Sequence, residues 1–358
     1  MIELKNALVD KSVISDVVNN IKNNYIIQGY YTRFSKENSV AFPNDMLVKK
    51  LDRISFCNKF WALDKYDLAK VKDFKKTNLC RDKFCSNCKK VKQAARMARY
   101  IPEISKYKDS LYHLVLTVPN VPGIDLRITI KKMISTFKKL ILYINGSKSI
   151  KGYDFSSWGY EGAIRSLEVT FKGDSYHPHF HVALSLPGLK LDKKYIETLY
   201  SFSYGKLSNK FSIEELLIQK LWYLLYNDKS ITFSNINKLK HGYSCFITKF
   251  KESDYAELFK YISKNSDEQG NLLTYENFVC LYYSLYNVKQ IQGYGVFYNI
   301  KDIDDVDVLQ HEYDILISAL KEKEAPSVIY ERPEALLSDT NYMLISRKSY
   351  FKYLNKLV

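Results

Sequence analysis

His177-Pro178-His179-Phe180-His181-Val182 is the stretch that decides how the chain is read. Side chains alternate along a strand, so His177, His179 and His181 share one face while Phe180 and Val182 turn toward a core on the other. Three of the chain's six histidines fall within these five residues. Neutral imidazole is a common ligand of divalent transition metals, and several on one strand face supply much of a coordination shell. A metal site is therefore expected here, with a polar edge strand as the plainer reading.

The preceding run Ala163 to Phe171 also reads as a strand, and Lys172-Gly173-Asp174-Ser175 joins the two as a hairpin. On that first strand Glu168 has the opposite parity from Val169 and Phe171, so it can project toward the histidines as a further ligand. Upstream, Leu111 to Val118 is an apolar, β-branched run that Pro119-Asn120-Val121-Pro122-Gly123 stops as a loop. Ile130, Met133, Ile134, Phe137, Leu140, Ile141 and Ile144 then recur at helical spacing and should cover a sheet face. Downstream, Ser212 with Glu215 forms a capping box that opens a helix to about Tyr226. Tyr243 to Phe250 reads as a strand and Asp254 to Lys264 as a helix, on which Glu257, Tyr261 and Lys264 share a face. From about residue 110, strands and helices thus alternate along the chain.

Cysteine usage supplies the second motif. Cys80, Cys85 and Cys88 lie within nine residues, with Cys57 upstream as the inferred fourth. A Cys-x2-Cys pair with two more thiolates meets the tetrahedral sulfur shell that structural Zn2+ prefers. The basic run Lys89 to Arg99 that follows is built of helix formers, and its basic face could lie along phosphates.

Composition agrees with a nucleic-acid partner. The 358 residues carry 54 Lys+Arg against 39 Asp+Glu, a net charge of +15, with 46% hydrophobic content and 30 Tyr beside 19 Phe. That excess favours a polyanion, and the aromatics offer faces on which unpaired bases stack. The opening Met1-Ile2-Glu3-Leu4-Lys5 lacks a basic stretch followed by an apolar one, and no uninterrupted apolar run reaches spanning length, so a cytoplasmic protein without membrane contact is expected. The organisation expected is a lead-in over 1–50 with one amphipathic helix, a zinc-binding and basic-helix module over 51–105, a catalytic domain over 106–300, and an acidic segment over 301–358.

Three ordered motifs carry a resemblance. Leu114-Val115-Leu116-Thr117-Val118-Pro119-Asn120-Val121, then the histidine stretch, then Glu257-Leu258-Phe259-Lys260-Tyr261-Ile262-Ser263-Lys264 follow the order seen in rolling-circle replication initiators of small Gram-positive plasmids. The chain resembles that family, within the wider histidine-hydrophobe-histidine (HUH) endonucleases, over roughly 54–298. The resemblance implies a central five-stranded antiparallel sheet with the metal-binding strand pair at its centre and the nucleophile on a neighbouring helix. It implies His179 and His181 as ligands of Mn2+ or Mg2+, completed by Glu168 or, second, His177, with Zn2+ at Cys57, Cys80, Cys85 and Cys88. It further implies Tyr261 as the nucleophile of a DNA-nicking, strand-transferring endonuclease, with a 5′-phosphotyrosyl intermediate and a free 3′-OH. Lys264 is a candidate to assist Tyr261, and Glu257 to activate water at termination. Plasmid origin DNA, a host helicase and a host polymerase are the partners so implied. Alternatives are a transposase or conjugative relaxase of the same superfamily, and a non-catalytic zinc-dependent DNA-binding regulator.

Overall fold

Two long strands meeting at a two-residue turn lie at the heart of the larger sheet in a computed structural model of the 358-residue chain. It describes residues 11–37, 49–54, 57, 60–63, 74–77, 80–191, 196–202, 205–259, 273–300 and 343–346. The elements begin with α1 (Lys11–Glu37), α2 (residues 49–54), β1 (Phe60–Leu63), β2 (Phe74–Thr77) and α3 (Ser86–Ile104). Next come β3 (Leu111–Thr117), β4 (Val121–Pro122), α4 (Gly123–Ile144), β5 (Gly162–Lys172), β6 (Ser175–Ser185), β7 (Ile196–Phe202) and β8 (Gly205–Phe211). The last are α5 (Ile213–Tyr226), α6 (Phe233–Lys238), β9 (Cys245–Lys249), α7 (Glu252–Leu258), α8 (Tyr275–Ser284), β10 (Ile291–Gly295) and β11 (Met343–Ser346).

The chain divides into two units, residues 1–99 with 303–358, and residues 100–302. In the first, β1 pairs antiparallel with both β2 and β11. In the second, an antiparallel sheet runs in the order β10-β5-β6-β3-β9, with the short β4 beside the start of β6. The architecture is thus α+β with an antiparallel sheet and flanking helices, and β6 occupies the middle of the five-strand path. No described helix is long and apolar enough to cross a membrane.

The expected β5–β6 hairpin is present and tighter than expected: Lys172 and Ser175 pair, leaving only Gly173-Asp174 in the turn. Gly173 has φ +57°, a conformation that costs a Cβ-free residue little. The register places Leu167 opposite Phe180 and Leu116 opposite Phe180 on its other side. Their shared face packs on α4, whose Leu126, Ile130, Met133, Phe137, Leu140, Ile141 and Ile144 are buried. Phe137 meets Phe180 edge-on at 5.8 Å. Full burial of each such side chain contributes roughly 1.5–3 kcal/mol, so this layer anchors the sheet.

Helix α4 starts at Gly123, the last residue of the expected loop, and its first turns expose Ile124 and Ile128 ahead of the regular apolar stripe from Ile130. Gly123 itself is needed for close approach: a Cβ would lie 2.8 Å from Asp174 Oδ1 and 2.9 Å from Cys280 Sγ. Helix α7 spans Glu252–Leu258, and residues 260–264 of the expected helix lie outside the described residues. Phe259 closes it with a non-helical backbone, fully buried against Tyr100 at 5.2 Å. The expected helical face shared by Glu257, Tyr261 and Lys264 falls outside the described residues beyond Phe259.

Candidate metal centres

In the first unit four cysteine sulfurs converge. Cys57 Sγ lies 3.5 Å from both Cys85 Sγ and Cys88 Sγ, and Cys80 Sγ lies 3.5 Å from Cys88 Sγ. All are free thiols, and the spacing is far beyond a disulfide's roughly 2.05 Å bond. Four sulfurs around Zn2+ at about 2.3 Å would stand about 3.8 Å apart, so the donor set fits that ion. Hydrogen bonds from Cys57, Cys80 and Cys88 hold the Cys85 thiol well below its ordinary range. The same contacts push Cys80 far up, because four thiolates cannot share this space without a cation.

The loop carrying these cysteines is held locally. Asp82 accepts from Phe84 N at 2.8 Å and from the Tyr31 hydroxyl at 2.8 Å, and pairs with Lys50 at 2.9 Å. The helix that follows departs from the expected open basic face: Lys89 and Arg96 are both buried. Burial pushes Lys89 down to about 7, against the opposing charges of Asp82 and Cys85.

In the second unit the sheet builds the other group. Glu168 sits directly across from His179 in the β5–β6 register, with His181 two residues along the same face. Glu168 Oε2 is 3.3 Å from His179 Nε2 and 3.1 Å from His181 Nε2. All three residues are buried, and one ligand atom of each lies within 4.8 Å of the others. Burial opposes the charge of Glu168, yet the hydrogen bonds from the two imidazoles outweigh it and hold the carboxyl well below the usual range. Two imidazole nitrogens and a carboxylate oxygen meeting at one point are a donor set that accepts Mn2+, Mg2+ or Zn2+. His177 stands outside this group: its ring stacks on that of His179 at 5.0 Å.

Sequence reasoning missed His113. It lies on β3, on the same sheet face, with Nε2 3.2 Å from His181 Nδ1 and Nδ1 3.2 Å from Asp254 Oδ1 on α7. Burial lowers its affinity for a proton, the neighbouring His181 adds to that, and Asp254 and Glu257 oppose it. A lone histidine in an apolar strand carries no motif, and only the sheet register brings it to the cluster. Glu257 is on α7, near enough for its charge to act on His113. Tyr261 and Lys264 lie outside the described residues.

Residues 71–199, which include three of the cysteines and strands β3, β5 and β6, match the family described as Replication protein. The chain is 26% identical over 226 residues to "Protein rep" of Staphylococcus aureus, covering 61% of this chain and 83% of that protein. It is 24% identical over 257 residues to "Protein rep" of Bacillus amyloliquefaciens, 69% of this chain and 70% of the relative. A shorter stretch of 112 residues is 30% identical to "Protein rep" of Streptococcus pneumoniae, 29% of this chain and 32% of that one. No solved structure matches. The matched stretch carries the paired strands and their ligand-bearing face, and the relatives share one name, so the comparisons support a rolling-circle replication (Rep) initiator of the Gram-positive plasmid type.

Proposed function

We propose that this initiator nicks one strand of its plasmid origin by transesterification, on a domain of the histidine-hydrophobe-histidine endonuclease kind. The observation that carries the reading is the convergence of Glu168, His179 and His181 on the two central strands. These residues would hold Mn2+ or Mg2+, which when bound supplies positive charge beside the non-bridging oxygens of a phosphodiester. Zn2+ belongs at Cys57, Cys80, Cys85 and Cys88 as a structural ion.

The motif around Tyr261 supports its assignment as nucleophile. Its phenolic oxygen bonds to phosphorus, the bond from phosphorus to the 3′ oxygen breaks, and the phenolic proton ends on that leaving oxygen. The products are a 5′-phosphotyrosyl protein and a free 3′-OH, which a host polymerase extends behind a host helicase. A phenol has an ordinary pKa of about 10, so a neighbouring base or cation is needed, and Lys264 is the candidate of this chain. The covalent link conserves the ester for rejoining. Glu257 takes a proton from water in the terminating cleavage, so a round ends by hydrolysis.

The test uses labelled single-stranded oligonucleotides tiled across the replicon that encodes the protein, incubated with the full chain and Mn2+. Wild type should leave a covalent adduct on a denaturing gel, and Tyr261→Phe should leave none. Equal labelling of both would remove Tyr261 as nucleophile. A non-catalytic regulator would give no adduct from either.

A further inference from the structure

His179 and His181 hold their second nitrogens in different ways. His179 Nδ1 is 3.1 Å from the backbone carbonyl of His177, an acceptor on its own strand. His181 Nδ1 instead faces His113 Nε2 on β3, at 3.2 Å. His113 Nδ1 in turn faces Asp254 Oδ1 at 3.2 Å. The other oxygen of that carboxylate accepts from Lys251 N at 2.7 Å, at the start of α7. Asp254 therefore bonds the helix terminus with one oxygen and His113 with the other.

The chemistry orients this chain of contacts. A ligating nitrogen must present its lone pair, so a neutral His181 that coordinates through Nε2 carries its proton on Nδ1. That N–H donates to His113 Nε2. His113 then has its own proton on Nδ1 and donates it to Asp254, which only accepts. Each link allows one direction, and each donor ends on an acceptor. Phe250 packs edge-on to the His113 ring at 6.0 Å and limits its rotation.

We infer that His113, backed by Asp254, is a positioning residue that sets His181 as an Nε2 ligand and ties the metal centre to α7, the helix bearing Glu257. The inference rests on the metal-site reading above and deepens it. By linkage, a divalent ion bound at Glu168, His179 and His181 steadies the start of α7, and a displaced α7 weakens the ion's hold. His179 needs no such support from another element, so the dependence is specific to His181.

The measurement is Mn2+ affinity of the full chain, zinc-loaded at its cysteines, followed by electron paramagnetic resonance of free Mn2+. Outer-shell partners of ligating histidines are typically worth 10–100-fold in metal affinity. His113→Leu and Asp254→Ala should each lose affinity in about that range. His113→Gln, whose amide oxygen can accept from His181 while its nitrogen donates to Asp254, should stay within a few-fold of wild type. Circular dichroism checks that each variant is folded. Wild-type affinity in His113→Leu would overturn the inference alone, as would a folded His113→Gln as weak as His113→Leu. Equal Mn2+ affinity in wild type and His179→Ala would overturn the metal-site reading, and this inference with it.

Discussion

Glu215 joins helix α5 to the edge strand β9, and removing it should cost more than removing the helix cap it belongs to. One carboxylate oxygen accepts from Ser212 N at 2.7 Å and the other from Ile247 N at 3.1 Å. Ser212 and Ile247 are 3% and 2% exposed, so no water can replace a lost acceptor. Glu215→Ala orphans both N–H groups at roughly 1–3 kcal/mol each, offset in part by no longer burying a carboxylate, for a net loss of about 3 kcal/mol. Ser212→Ala removes only the hydroxyl that accepts from Glu215 N, a loss of about 1 kcal/mol. Glu215→Gln keeps one acceptor and points an amide N–H at the other donor, so it should fall between the two. Urea titration measures all three. For a unit of this size about 3 kcal/mol corresponds to a melting shift of roughly 6–12 °C. Hydrogen exchange adds a site-specific reading, since the Ile247 amide should exchange faster in Glu215→Ala. If Glu215→Ala costs no more than Ser212→Ala, or Ile247 stays as protected as in wild type, the reasoning is refuted.

Three further outcomes are expected. Glu257→Ala should still form the covalent adduct but fail to release it by hydrolysis, measured as adduct that persists in a time course; equal loss of both steps would assign Glu257 a structural role. Cys85→Ser should lower bound zinc from about one ion per chain to none by elemental analysis, since one member of the four-sulfur shell is gone. Arg165 is 1% exposed over the Phe180 ring, with Nη2 bonded to Lys289 O at 3.2 Å, the Tyr294 side chain beside it and, among the described residues, no hydrogen bond at Nε or Nη1. Arg165→Met should therefore leave stability unchanged or raise it by about 1 kcal/mol, because a buried charge is exchanged for apolar volume; a clear fall in urea midpoint would show the guanidinium to be needed.

The ligand-bearing hairpin was legible because strand alternation and a two-residue turn are encoded in adjacent residues. Parity alone put Glu168, His179 and His181 on one face, and the Ser212–Glu215 box marked the start of α5 for the same local reason. In α4 the exposed Ile124 and Ile128 lie outside the periodic signal, which becomes regular from Ile130, and the end of α7 depends on Phe259 finding the Tyr100 ring far away in the chain. The convergence of Cys57 with Cys80, Cys85 and Cys88 sits between these cases: the tight cluster announced itself, while Cys57 could only be inferred from the sequence and is brought to the others by folding.

By itself, then, the sequence determined the strand faces, the capped helix and which side chains gather at the candidate sites. Tertiary structure decided which distant segments meet those faces: β11 beside β1, β10 beside β5, and His113 with Asp254 behind His181. The physical reason is range. Backbone geometry repeats over two to four residues and is written locally, whereas long-range pairing is selected by burial and register among segments whose separation no local pattern records.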